Sequence, residues 1–190
     1  MEELQIDNST SDADLIVEII RTNSSELFAI IYDRYSEVVY HKCLSFVKNK
    51  EEAQDITHDI FVKLFLKIRT FKNQSKFSTW LYSFTYNHCV NHVQRDYNKR
   101  KDRFIDADDE NQLNQVYEEI DDKDIFDLNH EKFLNSLEVL DPNDKSILFM
   151  KYQDDMTIED IQMALDLGKS AVKMRLSRAK SKLLQIYKQL

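Results

Sequence analysis

The stretch TIEDIQMALDLGKSAVKMRLSRAKSKLL, Thr157 to Leu184, decides how this chain is read. Thr157 is placed to cap a helix whose apolar face is Ile158, Ile161 and Leu165. Asp166-Leu167-Gly168 interrupts the pattern, and Gly168 is the only glycine in the chain. A single glycine serves best where the backbone needs an unusual angle or a side-chain-free entry to a helix. Val172, Leu176, Ala179 and Leu183 then repeat at helical spacing. Lys169, Lys173, Arg175, Arg178, Lys180 and Lys182 occupy the other faces with no acid among them. Two short helices across a tight turn, the second one basic, make a helix-turn-helix with a recognition helix.

Working outward, composition sets the class. One Pro and one Gly in 190 residues exclude a turn-rich β fold or a loop-built enzyme. Apolar residues at helical spacing predict an all-α chain. The formal net charge is −8, which argues against a free DNA binder, but the acids are segregated. DADDE (106–110) and EEIDDKD (118–124) lie between two basic zones. The reading is therefore a helical domain over 1–101, an acidic linker over 102–130 and a helix-turn-helix domain over 131–190. The polar, acidic start MEELQIDNSTSDADL is no secretory signal, and no apolar run approaches the roughly 20 residues of a membrane span. A cytoplasmic protein is expected, with Cys43 and Cys89 as reduced core thiols.

In the first domain, Ser11 is placed to cap a helix that buries Leu15, Ile16, Ile19 and Ile20. Phe28 to Val47 traces a long apolar stripe, and Glu51 to Thr70 has Ala53, Ile56, Ile60, Leu64 and Ile68 as its core line. Beside that line stand Gln54, Asp55, His58, Asp59, Phe61, Val62 and Phe65. Their spacing suits either a wider apolar face with solvated acids or a docking face for a partner helix. After the loop Phe71 to Lys76 comes FSTWLYSFTYNHCVNHVQRDYNKR, Phe77 to Arg100, rich in both aromatics and cations. Rings that stack bases beside cations that follow phosphates suit a single nucleic-acid strand; packing in a bundle is the other use of such rings. His88, Cys89 and His92, with His41 and Cys43, have partial zinc-ligand spacing. They lack the Glu that would serve a zinc hydrolase as base. With no phosphate loop and no nucleophile elbow either, neither a metal or other cofactor nor an enzyme is expected.

The ordered set of parts resembles an extracytoplasmic-function (ECF) sigma factor of the bacterial sigma-70 family, over nearly the whole chain. EEAQDITHDIFVKLF is similar to that family's polymerase-docking helix, and FSTWLYSFTYNHCVNHVQR to its promoter-melting helix. LDPNDKSILFMKY with the helix-turn-helix is similar to its C-terminal domain. The resemblance implies core RNA polymerase and promoter DNA, duplex and melted, as partners, and an anti-sigma factor as inhibitor. It places Gln54, Asp55, His58 and Asp59, with Phe61 and Phe65, against the clamp helices of the polymerase's largest subunit; the polymerase flap is a further contact. It makes the loop of Phe71, Lys72, Asn73 and Lys76 a receptor for a flipped base. Trp80, Tyr86, Asn87, Asn91 and Arg95 then line the melted strand. On the recognition helix, Ser170, Lys173, Met174, Ser177 and Arg178 face the major groove, and Lys169 meets phosphate. His58, Phe65 and Asn91 depart from the family's usual Gln, Trp and Asp; Asp166 stands where Gly is frequent, and Gly168 where Ser or Pro is. The family also accounts for the acidity, because the polymerase supplies most phosphate contacts. A stand-alone helix-turn-helix regulator is the alternative, and it leaves residues 51–95 without a purpose.

Overall fold

The computed structural model describes residues 10–104 and 129–190, with side chains in the helix that ends at Phe104 described as far as Gln94. Among these residues there are eight α-helices and no strand, so the chain is all-α. Two compact units divide it, Met1–Cys89 and Val90–Leu190. Most of the expected acidic linker lies outside the described residues.

The first unit is built from α1 (Asp12–Thr22), α2 (Ser25–Val47), α3 (Lys50–Lys67) and the start of α4 (Phe77–Phe104). Each of the first three begins where a short polar side chain takes up otherwise orphaned N–H groups. Ser11 accepts from Asp14 N, Ser24 from Leu27 N, and Asn49 from both Glu51 N and Glu52 N. The first two end on left-handed residues, Asn23 at φ 54° and Lys48 at φ 60°. α3 ends at Lys67 rather than Thr70, since Ile68–Thr70 tightens into a 3-10 turn that keeps Ile68 buried. α4 runs past Arg100 because KRKDRF contains good helix formers and no breaker.

The core joins Leu15, Ile16 and Ile19 of α1 to Ile31, Val39 and Cys43 of α2. Ile56, Ile60 and Leu64 of α3 and Leu81 and Cys89 of α4 complete it. Burying each of the larger side chains contributes about 1.5–3 kcal/mol before chain entropy is charged against it. Cys43 and Cys89 are free, fully buried thiols, with Cys89 Sγ 3.7 Å from Cys43 Sγ.

The second unit contains α5 (His130–Val139), α6 (Pro142–Leu148), α7 (Ile158–Leu165) and α8 (Lys169–Gln189). Asp141 caps α6, and Pro142 occupies its first turn, where the missing N–H is harmless. Beyond Leu148 the chain widens into a π turn, Phe149–Gln153, instead of continuing as α-helix to Asp154. Asp154 N donates to Phe149 O at 3.0 Å, and Met150 is fully buried.

The helix-turn-helix follows its sequence closely. Thr157 and Asp160 form a reciprocal capping box at the start of α7. The left-handed residue of the turn is Asp166, at φ 53° and ψ 49°. Gly168 is extended, φ −72° and ψ 155°, and a Cβ built on it meets nothing within 4 Å. Of the two uses expected of the lone glycine, it serves as the side-chain-free entry to α8, while the unusual angle falls two residues earlier, on a side chain that tolerates it. Val172, Leu176, Ala179 and Leu183 are the buried face of α8.

Candidate functional site

α3 presents one continuous outer stripe. Gln54, Asp55, His58 and Asp59 are all exposed. Asp55, Asp59, Val62 and Leu66 follow at i, i+4, i+7 and i+11, so the stripe turns from acidic to apolar along the helix. Val62 is 49% and Leu66 73% exposed, one turn apart, so together they form the apolar end of the stripe. Leu66 escaped the sequence reading, although its spacing from Asp55 and Asp59 gives it away. Phe61 is a correction: it is buried in the core, with its ring 4.7 Å from Tyr32 and 6.3 Å edge-on from Phe28. Its position turns inward toward α2, so it supports α3 from beneath. Phe65 is half-buried, edge-on to Phe28 at 5.0 Å.

The loop before α4 makes a second feature. Phe71 packs on Phe77 at 5.6 Å and on Trp80 at 5.3 Å, and Trp80 stacks on Phe84 at 5.9 Å. Asn73 adopts a left-handed conformation, φ 55°, that turns the loop over a cavity of about 400 Å³. Asn73, Ser75, Lys76 and Phe77 line that cavity together with Asp12 and Ala13. The contribution of α1 was invisible in the sequence, because some sixty positions separate it from the loop and no periodicity links the two. Asp12 is held there by Arg34 Nη1 at 2.6 Å and by the Tyr35 hydroxyl. Burial, then hydrogen bonding to Asp12, pushes the Tyr35 phenol well above its ordinary pKa.

Along α4, Asn87 and Asn91 are exposed, as are Lys72 and Lys76 in the loop, while Trp80 is half-buried. Arg95 lies outside the described side chains. Tyr86 is the second correction. It is 1% exposed, and its hydroxyl accepts a hydrogen bond from Lys42 Nζ at 3.2 Å. Lys42, itself 3% exposed, lies 4.2 Å from the Tyr82 ring centroid and 5.1 Å from that of Tyr86. A ring so enclosed has no face to offer a base. It keeps a buried ammonium solvated inside the unit instead.

In the second unit, Ser170, Lys173 and Met174 are exposed on the side of α8 away from its buried face, and Ser177 is half-buried beside them. Arg178 is half-buried with its Nε out of solvent, which leaves Lys173 the more accessible cation. Lys169 Nζ lies 2.8 Å from Glu159 Oε1, and this hydrogen bond draws the Glu159 carboxyl below its usual pKa. On another side of the unit, Phe133, Leu134, Leu137, Phe149, Tyr152 and Leu183 line an apolar groove of about 300 Å³. Among the described residues no three His, Cys, Asp or Glu are grouped to hold a metal, and no helix is long and apolar enough to cross a membrane.

The two helical units thus carry unlike surfaces, an acidic-to-apolar stripe on α3 in one and, in the other, a helix-turn-helix whose second helix is basic. Residues 31–99 match Sigma-70 region 2, and residues 130–183 match Sigma-70, region 4. The ECF RNA polymerase sigma factor SigW of Bacillus subtilis is 25% identical over 178 residues, covering 88% of this chain and 92% of that protein. The ECF RNA polymerase sigma factor BldN of Streptomyces coelicolor is 22% identical over 168 residues, 86% of this chain and 61% of that protein. Among solved structures, CnrH in complex with the cytosolic domain of CnrY has a similar fold, with a TM-score of 0.62 at 16% identity. That likeness covers 95% of this chain and 99% of that one. The sigma factor RpoE of Bartonella quintana, in complex with the anti-sigma factor NepR, gives 0.56 at 17% identity, covering 85% and 96%. The chain belongs to the sigma-70 family and to its ECF group.

Proposed function

We propose that the protein binds core RNA polymerase and directs it to a subset of promoters, with residues 1–101 acting as region 2, 102–130 as the acidic linker and 131–190 as region 4. The observation that carries this reading is the order of two family matches, 31–99 then 130–183, each over a unit with a fitting exposed surface. Asp55, Asp59 and their neighbours on α3 dock on the clamp helices of the largest subunit, with Val62 and Leu66 extending the contact. The flap of the polymerase occupies the apolar groove beside Leu134. Lys173, Ser170, Met174 and Ser177 face the upstream element, with Lys169 near phosphate and Arg178 set deeper. Downstream, the cavity under Phe71 to Lys76 takes a flipped base, while Trp80, Asn87, Asn91 and Arg95 line the separated strand. Flipping a base costs a few kcal/mol, which the cavity and stacked rings offset. Phe61 and Tyr86 serve these surfaces as scaffold. An anti-sigma factor competes for them; the sigma factor RpoE of Bartonella quintana, similar in fold, is seen in complex with the anti-sigma factor NepR.

Transcription in vitro with core polymerase on genomic fragments, with start sites mapped, tests the proposal. Discrete starts that depend on this protein are expected. Absence of both transcripts and core binding refutes it. A footprint on duplex DNA by the protein alone, with no need of polymerase, would favour the stand-alone regulator instead.

A further inference from the structure

Cys43 and Cys89 are the only cysteines in the chain, and they stand 46 positions apart on different helices. The fold nevertheless brings them face to face. Both are fully buried, and Cys89 donates its S–H to Cys43 Sγ at 3.7 Å. The neighbouring contact between the same two helices is polar as well, Lys42 Nζ to the Tyr86 hydroxyl at 3.2 Å. A thiol lodged among hydrocarbon alone is inert, but Cys43 is not so placed. The hydrogen bond from Cys89 draws its thiol below the ordinary pKa against the opposing effect of burial, and the Thr57 hydroxyl adds to the lowering. Thr57 also marks a way in. It is buried at the bottom of an open cavity of about 430 Å³, so its side chain lies between that cavity and the Cys43 sulfur.

We propose that Cys43 and Cys89 are a modification site: hydrogen peroxide oxidises them to an intramolecular disulfide, which draws α4 toward α2 and suppresses promoter opening until a dithiol reduces it. The effect on opening rests on the reading of α4 under Proposed function, whereas the disulfide does not. The Cys43 thiolate attacks one peroxide oxygen and the O–O bond breaks. The departing hydroxide takes up the proton that the thiol released, leaving a sulfenic acid and water. The Cys89 sulfur then attacks the Cys43 sulfur, the S–O bond breaks as the S–S bond forms, and the Cys89 proton leaves with the hydroxyl as a second water. One peroxide gains the two electrons that the two sulfurs lose. To bond, the sulfurs must close from 3.7 Å to the roughly 2 Å of a disulfide. Cys89 lies between Asn87 and Asn91, which stand outward on α4, so drawing it inward displaces both from behind. The Lys42–Tyr86 contact spans the same helices and must adjust with them.

The test uses the full-length protein, treated with hydrogen peroxide while folded, freed of peroxide, and divided. One part is denatured, its remaining thiols are alkylated, and it is mapped by peptide mass spectrometry. A Cys43–Cys89 disulfide within one chain is expected, and dithiothreitol should return both thiols. Thiols that stay alkylatable, or disulfides formed only between copies, overturn the assignment. The other part joins untreated core polymerase for transcription in vitro. Opening should fall by roughly tenfold, as a displacement of this size at a contact surface costs, and dithiothreitol should restore it. Cys89→Ala, treated alike, should keep its own untreated activity. A disulfide that leaves opening unchanged overturns the switch while the sigma reading stands. So does a loss that dithiothreitol fails to reverse or that Cys89→Ala shares, since the oxidised group is then elsewhere. If the reduced protein directs no transcription, the sigma reading fails and the switch falls with it.

Discussion

Tyr86→Phe removes one oxygen from the interior of the first unit and nothing else. The ring remains, so no cavity opens, and the two cation–ring contacts of Lys42 at 4.2 and 5.1 Å survive. What goes is the acceptor 3.2 Å from Lys42 Nζ, a hydrogen bond to a charged group that is 3% exposed. Such a bond is worth about 1.5–3 kcal/mol. In a unit of this size each kcal/mol moves the melting temperature by roughly 4–8 °C, so a fall on the order of 10 °C is expected. The chain's single tryptophan, Trp80, lies in this unit, so its fluorescence on heating follows the first unit's transition. Adding Lys42→Met should restore most of the loss, because a flexible apolar chain of similar volume needs no acceptor. Promoter opening measured well below the melting point should be unchanged in both variants. A Tyr86→Phe protein as stable as wild type but defective in opening would refute the reasoning and return Tyr86 to the strand-binding surface.

Three further predictions follow from exposure and backbone geometry. Asp55→Arg reverses a charge on the exposed stripe, so core binding should be lost in pull-down while the far-UV circular dichroism and melting curve stay as in wild type. Lys173→Ala should weaken upstream-element recognition by about 1–3 kcal/mol in a fork-competition assay with holoenzyme, and leave core affinity unchanged. Asp166→Val puts a β-branched residue at φ 53° and should cost about 1–2 kcal/mol in chemical unfolding of the second unit, whereas Asp166→Gly should be tolerated.

Much of this molecule is legible from local rules. The caps at Ser11 and Thr157, the break around Asn49, and the core lines of α3 and α8 all follow from spacing and capping chemistry, because each depends on residues within a turn or two. What escaped depends on neighbours distant in sequence. Phe61 and Tyr86 sit in aromatic-rich helices where several rings compete for one interior, and only the packing of α2 decides which turn inward. The same holds for Asp12 at the loop cavity. Gly168 left two uses open, an unusual angle or a bare entry to a helix, and only the backbone decides between them: it stands at the entry to α8, and the left-handed angle is carried by Asp166. The π turn after Leu148 has no signal that helical periodicity detects, since it shifts the register by a single residue.

The double duty of α4 bears on how such a protein diversifies. Leu81, Thr85 and Cys89 anchor the helix in the interior, and Asn87 and Asn91 stand outward on the same few turns. An outward side chain can be exchanged without disturbing its neighbours, but a change that tilts the helix must be matched by α2 and α3 at once. On the proposed reading of these positions, descendants of this chain would acquire new promoter preferences by single exchanges at the outward positions and in the loop from Phe71 to Lys76. The inward positions would stay as inherited ballast, fixed long after the regulated genes had changed.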